Sequence, residues 1–122
     1  ADFALAVPPA LPVGGNDTIN LVGPGIARPG WSITWTWSGM PPGSSYLFAC
    51  SLSNAGTLFQ GHNFDLGTPF SVLNRGTAGN TGTGNFTATV PRGTSGVTVH
   101  FEIAATIDGN WYDSNLLTLT IL

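Results

Sequence analysis

Residues 31–37 read WSITWTW, and their alternation is unbroken. Trp31, Ile33, Trp35 and Trp37 fall on one side of an extended chain, and Ser32, Thr34 and Thr36 on the other. A period of two describes a half-buried strand and fits no helix face. The pattern returns in 84–90, where Phe86, Ala88 and Val90 oppose Asn85, Thr87 and Thr89. It returns again in 97–106, where Val97, Val99, Phe101, Ile103 and Ala105 share a face. Shorter runs at 17–22, 45–52, 57–59 and 70–73 read the same way. No segment sustains a 3.6-residue apolar period, because 17 glycines and nine prolines interrupt most windows. These observations predict an all-β chain. They point to an Ig-like or jelly-roll type β-sandwich of about seven to nine strands with an extended N-terminal arm. The tryptophan-and-disulfide core of true Ig domains is excluded, since Cys50 is the only cysteine.

Turn chemistry divides the strands. Met40-Pro41-Pro42-Gly43 precedes the run at 45–52, and the stretch 74–84 (NRGTAGNTGTG) reads as an exposed loop. Asp108-Gly109 predicts a tight turn that folds 97–107 and 111–122 into a β-hairpin.

At 122 residues the chain has room for one core. The sandwich is assigned to residues 16–122, and residues 1–15 stand apart. Asp2–Val7 presents Phe3, Leu5 and Val7 on one face. Pro8, Pro9 and Pro12 stiffen the link to the sandwich, and Gly14-Gly15 forms a hinge. Such a segment is either the first strand of its own sandwich or a detachable strand that completes the sheet of a neighbour.

Charge is scarce. Charged residues make up 7% of the chain, against about 25% in a typical domain. There is no lysine, and the basic side chains are Arg28, Arg75 and Arg92. With a net charge of −3 and no basic cluster, nucleic acid and anionic membrane surfaces are not expected partners. No apolar run reaches the roughly 18 residues needed for membrane insertion. The chain opens on Ala1 rather than Met, so the expectation is a mature extracellular or cell-surface protein after signal-peptide removal. Lysine is a common guard on exposed sheet edges, and its absence leaves the edges of this sandwich open to pairing.

No catalytic set stands out, and the chain is not expected to be an enzyme. His62 lies in a turn-like stretch. His100 and Glu102 share the polar face of their strand and read as surface decoration without a third ligand. The acids Asp2, Asp17, Asp65, Glu102, Asp108 and Asp113 are scattered, and turn formation accounts for most of them. Residues 108–115 are rich in oxygen donors, but hairpin chemistry explains them without calcium. No metal and no cofactor is expected. Cys50, in an apolar run, reads as a structural thiol. Trp31, Trp35 and Trp37 read as core, whereas Trp111 and Tyr112, at a hairpin end, are candidate contacts for a glycan or another protein. Asn16 and Asn85 begin N-glycosylation sequons.

The Gly-Thr-rich stretch 81–90, the strand 97–105 and the ending 113–121 (DSNLLTLTI) resemble β-sandwich domains of secreted bacterial surface proteins, over about the last third of the chain. The N-terminal arm resembles those of pilus-type subunits joined by donor-strand complementation. That resemblance implies a homopolymeric filament in which each arm fills a groove on the next subunit. The ending Leu119-Thr120-Ile121-Leu122 departs from chaperone–usher subunits in lacking a penultimate tyrosine. The expected function is therefore a structural subunit of an extracellular assembly, with Phe3, Leu5 and Val7 as intersubunit residues. The alternative is a secreted carbohydrate-binding or adhesive module using Trp111 and Tyr112.

Overall fold

The computed structural model describes residues 17–59 and 62–122. The intersubunit residues Phe3, Leu5 and Val7 lie outside the described residues. Within them the chain is all-β and forms a sandwich. The strands are β1 (Asp17–Val22), β2 (Ile26–Ala27), β3 (Ser32–Ser38), β4 (Ser45–Ser51), β5 (Thr57–Phe59), β6 (His62–Phe64), β7 (Phe70–Thr77), β8 (Gly84–Thr89), β9 (Thr98–Ile107), β10 (Asn110–Ser114) and β11 (Leu117–Ile121). The count exceeds the expected seven to nine because the short strands β2 and β6 lie outside the expected runs and the last strand splits into β10 and β11. Among the described residues no helix is long and apolar enough to cross a membrane.

One sheet runs β7-β4-β9, and β9 is then flanked along its length by β10 and β11 in succession. The other runs β1-β3-β8. β1 serves both. Asp17 and Ile19 pair in parallel with Asp113 and Ser114, and Asn20–Val22 then pair antiparallel with β3. β2 pairs in parallel with β11. The N-terminal strands β1 and β2 therefore lie beside the C-terminal strands β10 and β11, respectively.

The hairpin of 97–122 forms as its turn predicts. Asp108 and Gly109 have φ of 54° and 78°, the double left-handed geometry of a two-residue hairpin loop. Between β10 and β11 the pairing with β9 slips, from Asp113↔Ala104 to Leu117↔Phe101. Side chains take over the backbone's role there. Ile103 N–H donates to Ser114 Oγ at 2.8 Å, and that hydroxyl donates to the Asn115 carbonyl at 2.9 Å. The Asn115 amide accepts from Leu21 N–H at 2.8 Å and donates to Leu21 O at 3.0 Å, joining the corner strand to the bulge.

Aromatic rings bridge the sheets where a disulfide would otherwise stand. Trp35 of β3 lies 4.9 Å from Phe101 and 5.4 Å from Phe48, and Trp37 lies 5.8 Å from Phe48. Each ring fully buried contributes roughly 1.5–3 kcal/mol. Ile33, Trp35 and Trp37 are core as expected, but Trp31 is 50% exposed. It precedes β3, and its backbone bonds to Arg28 and Val90 place it at the sandwich rim. Cys50 is free and half-buried against the core.

Candidate functional site

Alternation along β3 and β8 leaves Ser32, Thr34, Thr36, Asn85, Thr87 and Thr89 exposed on the outer face of their sheet. The outer face of the other sheet is different. At its centre, on β4 and β9, lie Leu47, Ala49, Ser51, Glu102 and Ala104, and all except the half-buried Leu47 are buried, whereas Ser45 and Thr98 toward the strand ends are exposed. The excursion between β4 and β7 covers the central positions. Its hairpin pairs Thr57 with Phe64 and Leu58 with Asn63. Thr57 Oγ1 donates to Leu66 O at 2.7 Å, Gly67 N–H donates to Ser53 O at 2.8 Å, and Ser51 Oγ donates to Pro69 O at 2.8 Å. The hairpin is thereby folded down as a flap. Apolar residues at positions that should face solvent were the available sequence signal for a second covered face.

Three of the chain's six acidic side chains converge beneath this flap. Asp65, Glu102 and Asp113 each bring a carboxylate oxygen within 4.8 Å of the others. Glu102 is 2% exposed and Asp113 is fully buried. The surface assignment of Glu102 is thus overturned. Glu102 Oε1 accepts from the backbone N–H groups of Asp65 and Leu66 at 3.0 and 3.1 Å, clamping the flap to the sheet. His62, expected in a turn, lies on β6, with Nε2 3.5 Å from Asp113 Oδ2 and its ring 4.6 Å from Phe64. His100 sits apart and shares a 2.9 Å hydrogen bond with Thr118 of β11.

Burial sets the protonation of the cluster. Desolvation pushes Glu102 up to about 7, against the opposing pull of the Leu66 and Asp65 N–H groups and of a hydrogen bond with Asp113. Burial likewise raises Asp65 and lowers His62, each partly offset by the charge of the other. The cluster's three carboxyls have no lysine beside them, and burial favours the protonated forms of Glu102 and Asp65. Their oxygens could also serve as ligands for a hard divalent cation. The oxygen-rich stretch 108–115 divides between the hairpin turn, this cluster and the bulge.

Beside the cluster, under the flap, is a pocket of about 140 Å³ lined by Leu47, Ala49, Thr57, Phe64, Leu66, Phe70, Glu102, Ala104 and Trp111. Trp111 is half-buried and meets Phe64 edge-on, at 5.5 Å and 87°. Tyr112, next along β10, points to the other face and packs against the core. The two candidate contact residues therefore do not share a surface.

The architecture has solved counterparts. The sulfur carrier protein SoxY from Chlorobium limicola f thiosulfatophilum is 14% identical, with a TM-score of 0.57 over 93% of this chain and 86% of that chain. The human F-spondin reeler domain is 14% identical, with a TM-score of 0.50 over 88% and 91%. A PKD domain of an M14-like peptidase from Thermoplasmatales archaeon SCGC AB-540-F20 is 18% identical, with a TM-score of 0.45 over 84% and 91%. At such identities the first two likenesses show the fold alone. No family model and no curated protein matches the sequence.

Proposed function

We propose that this chain is a structural subunit of an extracellular assembly, joined to its copies by N-terminal strand addition. The observation that supports the reading is β8. Among the described strands it pairs with β3 alone, so it is an edge. It carries no charged residue and no proline, the usual devices against edge pairing. Its inward side chains Phe86 and Ala88 are half-buried, leaving apolar surface that one further strand would cover. The arm supplies Phe3, Leu5 and Val7 at the two-residue spacing such a strand requires. The partner is another copy of the chain, and the setting is the cell exterior.

Light scattering on the full chain tests this. The wild type should form large particles, and the Phe3→Ala, Leu5→Ala, Val7→Ala triple variant should stay a folded monomer. An equally stable polymer from the triple variant would defeat the reading. The second reading, a carbohydrate-binding or adhesive module, draws support from Trp111, which is only half-buried and so leaves part of its ring open to solvent. It predicts a monomer whose glycan-array signal is lost in Trp111→Ala.

A further inference from the structure

Protein interiors are close-packed, and holes much larger than a water molecule are few. The pocket under the β5–β6 flap is such a space, of about 140 Å³ and half open to solvent. Its walls are Leu47, Phe64, Leu66, Phe70 and Trp111, and it owes part of its depth to the short side chains of Ala49 and Ala104. An enclosed apolar cavity of about 150 Å³ takes up benzene from water, which sets the size of ring that a pocket of this volume can hold.

From this geometry we infer that the pocket is a binding site for one neutral, benzene-sized aromatic ring. The polar groups at its wall are already engaged. The Thr57 hydroxyl donates to Leu66 O, and Glu102 Oε1 accepts two backbone N–H groups. A sugar entering here would surrender the hydration of its hydroxyls without replacement, and an ionised ring would lose more. An aromatic hydrocarbon ring loses nothing and gains edge and face contacts with Trp111, Phe64 and Phe70. The site thus takes a different ligand class from the glycan of the second reading and does not depend on strand addition.

The ring has two sources, a free small molecule or the side chain of a phenylalanine. The N-terminal arm carries one, Phe3. The described chain begins at Asp17, whose strand partner Asp113 is two residues from Trp111, and Phe3 lies 14 residues upstream.

Toluene titrated into the full-length protein is the test, monitored by NMR of the Leu47, Ala49 and Ala104 methyl groups and the Trp111 indole. Saturable shifts confined to these groups are expected in the wild type, in Phe3→Ala, or in both, and glucose should produce none. Ala104→Leu, which fills the pocket, should weaken binding at least about tenfold with the thermal transition retained. Ala49→Val serves if that variant misfolds. Tighter toluene binding by Phe3→Ala than by wild type identifies the arm as the native occupant, and equal binding identifies a free molecule. Absence of saturable shifts in both proteins up to the solubility of toluene, or binding indifferent to pocket filling, overturns the inference. A free molecule as occupant leaves strand addition untouched, whereas Phe3 as occupant takes that side chain away from the β8 edge, and the particle size of the triple variant remains the separate test of strand addition.

Discussion

Replacing Glu102 by Gln isolates the electrostatics of the flap. The amide reproduces a protonated carboxyl: its oxygen can accept from the Asp65 and Leu66 N–H groups, and its NH₂ can donate to Asp113. The side chain titrates near 4.5 when unfolded and near 7 when folded, with desolvation as the main cause. Because the folded value is the higher one, the stability contributed by the protonated carboxyl is complete below pH 4.5. It declines between pH 4.5 and 7 and is gone above. At about 1.4 kcal/mol per pH unit, the span amounts to about 3 kcal/mol. His62 has the opposite sign. Its folded value is lowered, so it costs stability as pH falls below 6.5, while Asp65, whose folded value is raised, acts in the same sense as Glu102. The difference between wild type and Glu102→Gln removes the His62 contribution. Urea unfolding monitored by tryptophan fluorescence should find the two nearly equal at pH 4.5. At pH 8 Glu102→Gln should be more stable by about 3 kcal/mol, a midpoint shift of about 2 M. A difference that does not change with pH would mean that Glu102 is already ionised in the folded protein at pH 4.5, and the argument from burial would fail.

Asn115→Ala strips two hydrogen bonds from the Leu21 backbone and should cost about 2–4 kcal/mol in the same urea experiment; a loss below about 0.5 kcal/mol would show that the bulge does not depend on the amide. Gly84→Ala would set a Cβ 2.6 Å from Trp37 Nε1, against a ring that is 5% exposed, and should destabilise by about 1–3 kcal/mol, read as a lowered Tm. Cys50 is half-buried and burial raises its thiol pKa, so iodoacetamide at pH 7.5 should label the native protein at least about tenfold more slowly than the urea-unfolded chain.

Local pattern carried the strands and the hairpin. Alternation in 31–37, 84–90 and 97–106 located β3, β8 and β9, and Asp108-Gly109 located their best-defined turn. The site was hidden because a period of two says which residues share a face, never what lies over that face. Glu102 alternates as a solvent-facing residue does, and only the long-range return of 52–69 buries it. The same limit applies to Asp65 and Asp113, which are 48 residues apart in sequence and meet through the flap. Trp31 failed for a local reason: it continues the alternation of β3 but lies one residue beyond the strand, where no opposing sheet covers it. The slip between β10 and β11 was illegible too, since Ser114 and Asn115 look like turn residues until their side chains are seen serving as backbone.

The parallel pairing of β1 with β10 and of β2 with β11 has a mechanical consequence. Tension applied at Asp17 and Leu122 pulls these neighbours in opposite directions along their length. The load falls in shear on several bonds at once, among them Thr120 N–H to Gly25 O at 2.9 Å and Leu122 N–H to Ala27 O at 2.8 Å. Antiparallel end strands would instead peel open one bond at a time. A pull between Asp17 and Leu122 therefore meets these bonds together rather than in sequence.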